Sequence, residues 1–512
     1  MIACVHSALL QGIEARPCEV EVDLDEAGTA RETIVGLPDV AVRESLERVR
    51  SALVNTGFPL GPARLLINLA PADQRKEGPV YDLPIAAGLL LARGLAAHGV
   101  GLDPSACVMA GELALDGRVR PIRGAVGLAE LAASQGKRYV VVPVENAREA
   151  AIGASLIPEE TDVRVLGVRT LAEVASLLGG HLEPDPVPRQ DVRAALEAGV
   201  SPIDFGQVKG QEAVKRALVI AAAGSHNCVM LGPAGTGKTM MARALPGILP
   251  AMSPAEALEV TRIHSAAGVL ETEQGLVRSR PVRTPHHTAS AAAVVGGGVV
   301  PRPGEVSLAH RGVLFLDELP EFARGVLETL RQPLEDGVVT IARAHATVRF
   351  PARFMLIAAM NPTPKGDVAP GEAGQREMQR YLSKLSGPLL DRIDLHVHAP
   401  RVPWDELTGK AGGTDSSAMR EAVYHARRRA AERGQRVPNG GLSGAQLDGL
   451  APLDDAATLV LRRSIEDFGL SARAYDKLRR VARTIADLDG SAGVRSEHML
   501  EAVQYRILDR ST

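Results

Sequence analysis

Apolar and polar positions along the chain alternate in two different rhythms. Short runs such as Cys18–Val22, Leu65–Leu69 and Tyr139–Pro143 read as strands. Between them, Val40–Thr56, Leu83–Ala97 and Ala125–Gln135 carry the spacing of amphipathic helices. The first block, Met1 to about Leu178, is therefore α/β or α+β. His181–Asp191 is Pro-rich and polar, which suits neither helix nor strand interior, and marks a boundary. A second block follows to Pro400. There the apolar runs Asn227–Leu231, Val313–Leu316 and Phe354–Ala359 alternate with helical stretches, the pattern of a mostly parallel sheet with covering helices. Within it Arg262–Leu308, rich in Gly, Pro, Arg and His, reads as an inserted loop or hairpin. Past the polar stretch Gly409–Ser417, residues Ala418–Thr512 have helical periodicity and read as a small bundle. The expected division is 1–180, a linker at 181–200, 201–400 and 401–512.

Length agrees with this division, since 512 residues suggest about three domains. A net charge of −3 gives no global basic signature, so any nucleic-acid contact must rest on local charge. Aromatic residues are only 3% of the chain, which argues against extensive base-stacking platforms. Cys4, Cys18, Cys107 and Cys228 are far apart with no CxxC spacing. That speaks against a disulfide framework and suits a reducing, cytoplasmic setting. The N-terminal run reads as a strand rather than a signal peptide, and no apolar stretch is long enough to predict a membrane span.

The chemistry is concentrated in the second block. Gly232, Pro233, Ala234, Gly235, Thr236, Gly237, Lys238 and Thr239 match GxxxxGK[ST] completely, between an apolar strand and a helix. Glycines let the backbone curl so that its N–H groups face phosphates. Lys238 would reach the β- and γ-phosphates of ATP, and the Thr239 hydroxyl would ligate Mg²⁺. The strand Val313–Leu316 ends in Asp317 and Glu318: the first to hold Mg²⁺, the second to polarise the attacking water. Acidic residues often end strands, so this pair gains its meaning from the complete P-loop upstream. Asn361 follows the next strand and would bridge water and γ-phosphate; a capping Asn before Pro362 is the alternative. Arg392 and Arg473 are candidate transition-state cations, Arg392 toward a neighbouring subunit and Arg473 closing on the same nucleotide from the lid. Surface ion pairs are the alternative for both.

Four segments carry a family resemblance: RPVRTPHHTASAAAVVGGG (280–298), PGEVSLAHRGVLFLDELPEF (303–322), LRQPLEDGVVTIARA (330–344) and LSGPLLDRIDL (385–395). They resemble the magnesium-chelatase-like AAA+ family, and the whole chain resembles its ComM/YifB branch. The resemblance implies an AAA+ P-loop αβα core, an N-terminal Lon-protease-like α+β domain and a C-terminal helical lid. It casts Asn361 as sensor 1, Arg392 as the arginine finger and Arg473 as sensor 2. It places a helix-2 insert within Arg262–Leu308 and a pore-lining hairpin at Val338–Phe350, whose alternation fits a hairpin independently. Arg343, His345 and Arg349 are then candidate DNA contacts, with a solvated hairpin face as the alternative. It further implies a homohexameric ATPase driving branch migration on branched or single-stranded DNA. Rival readings are a chelatase-type motor subunit remodelling a protein partner and an ATP-dependent protease. The protease reading is disfavoured because Val80 stands where Lon-type proteases carry their Ser, and Gly117–Leu128 offers arginines but no lysine. Relatives often carry a cysteine cluster between Pro362 and Arg380; this chain has none there, so zinc is not expected.

Overall fold

In the computed structural model the run at Cys18–Val22 lies inside a longer strand, Glu14–Asp25. Cys18, Val20, Val22 and Leu24 are buried on one face, while Glu19, Glu21 and Asp23 alternate with them on the other. The structure describes residues 1–26, 29–95, 101–197, 203–271, 274–298, 300–343, 346–363, 372–408, 413–506 and 508. They divide into two compact units, Met1–Glu197 with Ser253–Arg278, and Ala198–Met252 with Ser279–Thr512.

The first unit holds a four-stranded sheet in the order Ile2–Gln11, Glu14–Asp25, Arg64–Ala70, Arg31–Val35. The first three strands are antiparallel and the last pair is parallel. Helix Asp82–Ala92 packs on it and is apolar on nearly every side, which is why it is almost wholly buried. A separate parallel sheet joins Cys107–Met109, Tyr139–Pro143 and Arg164–Val168. Helices Val126–Ser134 and Val144–Ser155 make its crossovers. Val80 packs against the core of this unit.

Helix Pro254–Ala267 also belongs to the first unit, although its chain position is beyond the P-loop. A capping box between Ser253 and Glu256 starts it, and Gly268 in the left-handed region ends it. Its Arg262 pairs with Glu130, and its Ser265 hydroxyl bonds the buried carboxylate of Glu149. Burial pushes the Glu149 carboxyl upward, and bonds from Ser265, Asn146 and the Val126 amide oppose that. The stretch Arg262–Leu308 is thus not one inserted loop. It starts inside a capped helix and includes a strand of the second unit's sheet, Val282–Arg283. A two-residue edge strand is too short to show a period in the sequence.

The second unit is built on a five-stranded parallel sheet. Its order is Val282–Arg283, Val313–Leu316, Met355–Met360, Cys228–Leu231, Leu395–His398. The strands Val313–Leu316 and Met355–Met360 are buried at every position, as a sheet covered on both faces requires. The core continues from the sheet into helices Ser416–Glu432, Asp455–Phe468, Ala472–Leu488 and Ser496–Gln504. Asp415, Asp454 and Ser471 cap the first three with side-chain oxygens. Strands Val338–Arg343 and Ala346–Pro351 pair as an antiparallel hairpin. No helix among the described residues is long and apolar enough to cross a membrane.

Candidate nucleotide site

The central strand Cys228–Leu231 runs directly into the glycine-rich loop. A Cβ on Gly232 would lie 2.0 Å from the Ala399 carbonyl oxygen, so no larger residue fits there. Gly235 and Gly237 take φ of +78° and +83°, which only glycine adopts without strain. Helix Lys238–Ala244 follows at once.

The Lys238 ammonium is folded back into this loop. It donates to the carbonyls of Gly232 and Pro233, each at 2.7 Å, and reaches Asn361 Oδ1 at 3.3 Å. Burial pushes its pKa down, and the charge of Asp317 partly offsets that. Next to it the Thr239 hydroxyl donates to Asp317 Oδ2 at 2.7 Å. Two hard oxygen donors from adjacent elements meet here, the donor chemistry that Mg²⁺ prefers. Asn361 stands at the tip of strand Met355–Met360, facing Lys238.

Glu318 sits in the left-handed region, with φ +52° and ψ +46°. That turn separates its side chain from Asp317, while its amide donates to Asp317 Oδ1 at 3.0 Å. Glu318 Oε2 lies 3.2 Å from Nδ1 of His287, which follows the edge strand Val282–Arg283. The His287 ring meets Phe322 edge-on and lies 4.2 Å from that of His286. Sequence reasoning did not link His287 to Glu318; the paired histidines in RTPHHTAS were the available signal.

Lys238, Thr239, Asp317 and Asn361 are therefore brought together, with Glu318 joined to them through its amide and its carboxylate against His287, whereas the arginines are grouped elsewhere. The Arg392 guanidinium bonds the Pro388 carbonyl and pairs with Glu335. Arg473 opens helix Ala472–Leu488, is exposed, and stands 3.8 Å from Asp391. Both line a cavity of about 210 Å³ whose lining includes no P-loop residue. Arg349 is exposed on its strand of the hairpin, opposite Thr340. His345 lies outside the described residues, as does the Arg343 side chain. The loop read against zinc falls largely at 364–371, also outside them.

Comparison with known proteins gives family matches along most of the chain. Residues 204–407 match the family described as magnesium chelatase, subunit ChlI. Residues 20–146 and 413–506 match subunit ChlI of Mg-chelatase and its C-terminal part. The chain is 41% identical to competence protein ComM of Haemophilus influenzae, over 99% of this chain and 98% of that protein. Identity to YifB of Escherichia coli is also 41%, with the same coverage. The magnesium-chelatase 38 kDa subunit of Rhodobacter capsulatus is 30% identical over 32% of this chain and 52% of its own. Near-full-length identity at that level, carried on a P-loop sheet with its paired acids in place, means that the chain belongs to the ComM/YifB-type magnesium-chelatase-like AAA+ ATPases.

Proposed function

We propose that this protein is a Mg²⁺-dependent ATPase that works as a homohexameric ring on branched or single-stranded DNA, driving branch migration. The carrying observation is the division of the site residues. Lys238, Thr239, Asp317 and Asn361 meet at one place with Glu318 next in the chain, while Arg392 and Arg473 line a cavity that none of them borders. A γ-phosphate held at the first group needs a cation for its developing charge. A second copy presenting Arg392 and Arg473 supplies one, which supports assembly. Arg473 then serves the neighbour's nucleotide, in place of the one bound by its own chain.

Within the site, the P-loop amides and Lys238 bind the phosphates. Thr239 and Asp317 hold Mg²⁺, which neutralises phosphate charge when bound. Glu318 orients the attacking water and accepts its proton, and Asn361 fixes that water against the γ-phosphate. The DNA reading draws on the near-full-length likeness to a competence protein. It draws also on the hairpin Val338–Pro351, with Arg349 exposed. Val80, in the place of a nucleophile, leaves the first unit a binding or assembly role.

The test is ATP turnover with and without forked or single-stranded DNA, together with mass in solution with and without ATP. Stimulation by DNA and an ATP-dependent hexamer are expected. Turnover indifferent to DNA but raised by a protein partner would replace this reading with a chelatase-type motor.

A further inference from the structure

Lys477 lies one helical turn beyond Arg473, on the inner side of helix Ala472–Leu488. Its side chain is 9% exposed. A buried ammonium is costly unless its donors are satisfied, so its partners show what it is for. It donates to the carbonyl of Asp391 and to that of Ile393, the latter at 3.1 Å. These are the residues on either side of Arg392. Asp394 Oδ1, which forms an ion pair with it, is farther away at 3.7 Å.

The rest of that segment is held as firmly. The Arg392 carbonyl accepts from Asn227 Nδ2 at 2.8 Å, and the Ile393 carbonyl also accepts from Arg506 at 2.7 Å. Asp394 Oδ2 accepts from the Asn227 amide at 3.0 Å. Three successive carbonyls around Arg392 are thus all engaged, two of them by the one ammonium that the lid helix supplies. A guanidinium that must meet a phosphate on another chain gains from a fixed backbone, because less freedom is lost on reaching it.

We propose that Lys477 is a positioning residue for Arg392: it ties that arginine's backbone to the lid helix bearing Arg473, so that the two are presented to the adjoining subunit as one rigid clamp. This rests on the proposed role of Arg392 across a subunit interface. The ordinary alternative is that Lys477 only stabilises the fold of its own chain.

Mixing full-length chains separates the two. Lys238→Ala chains carry a disabled P-loop and an intact Arg392; Lys477→Met chains carry the reverse. Alone, Lys477→Met should lose at least about tenfold in kcat while its affinity for ATP stays within about threefold. Mixed one to one, about a quarter of interfaces join an intact P-loop to an intact Arg392. Turnover should then rise well above either variant alone. Lys477→Arg, which keeps the cation, should restore most of the rate to the single variant.

Arg392→Ala mixed with Lys238→Ala runs in parallel. Recovery in both mixtures supports the proposal. Recovery with Arg392→Ala but not with Lys477→Met overturns it, because Lys477 then serves its own chain. Recovery in neither overturns the interface role of Arg392, and the proposal with it. Should Lys477→Met fail to fold, Lys477→Gln, which can still donate to one carbonyl, takes its place; unchanged turnover in that variant also overturns the proposal.

Discussion

Replacing Lys238 by Ala removes a buried ammonium whose bonds in this structure run to two carbonyls and an amide oxygen. None of these partners is a carboxylate, so the charge is held in readiness for an anion. Without nucleotide, loss of those bonds and relief of burying a charge oppose each other. Stability should change by no more than about 1 kcal/mol. With nucleotide, the variant lacks a charge-assisted bond to phosphate of about 2.7 kcal/mol, or roughly 100-fold in Kd. At an ATP concentration of 100 Kd for the unaltered chain, binding adds about 2.7 kcal/mol of stability. The variant at that concentration is only half-saturated and gains about 0.4 kcal/mol. At about 2 °C per kcal/mol for a large domain, a shift of some 5 °C should shrink to about 1 °C. Scanning fluorimetry with Mg²⁺ and a slowly hydrolysed ATP analogue measures this directly. An equally large ligand-induced shift in Lys238→Ala would refute the assignment of this loop as the phosphate cradle.

Three further outcomes follow from the same geometry. Glu318→Gln keeps the size of the side chain but removes the base; turnover should fall about 10²- to 10⁴-fold with nucleotide affinity retained, as single-turnover hydrolysis beside equilibrium binding will tell. Arg473→Ala should lower kcat yet leave ATP affinity within about threefold, because the cavity that Arg473 lines includes no P-loop residue; a binding defect by calorimetry would return Arg473 to its own chain's nucleotide. Burial alone would raise the Asp394 pKa, but Lys477 and His226 outweigh it and hold the carboxyl well below its usual range. Its contribution is therefore present above the unfolded carboxylate pKa of about 4 and is lost as pH falls through that value toward the folded one. Asp394→Asn should cost about 3–5 kcal/mol at pH 7 by removing the carboxylate half of its buried ion pair with Lys477, and urea unfolding should show the gap narrowing below about pH 4.

The parts legible in the sequence are those whose physical constraint is local. Gly232–Thr239 must follow a strand and open a helix, and a phosphate cradle needs glycine at its left-handed positions, so eight consecutive letters suffice. Val313–Leu316 is buried on both faces, which leaves a continuous apolar run ending in two acids. The hairpin at 338–351 declares itself by alternation. By itself the chain thus determined the glycine-rich loop between strand and helix, the acids that end Val313–Leu316, and its family. Only the tertiary structure decided which distant residues meet. Helix Pro254–Ala267 joins the first unit because Ser265 and Arg262 find Glu149 and Glu130 there, partners more than a hundred residues away. His287 reaches Glu318 because two parallel strands set their C-terminal ends side by side. Arg392 and Arg473 line one cavity, and Lys477, from the helix that bears Arg473, bonds the carbonyls on both sides of Arg392. Backbone conformation and burial period repeat over a few residues and leave a mark in the letters; a hydrogen bond between segments far apart in the chain leaves none until the fold closes.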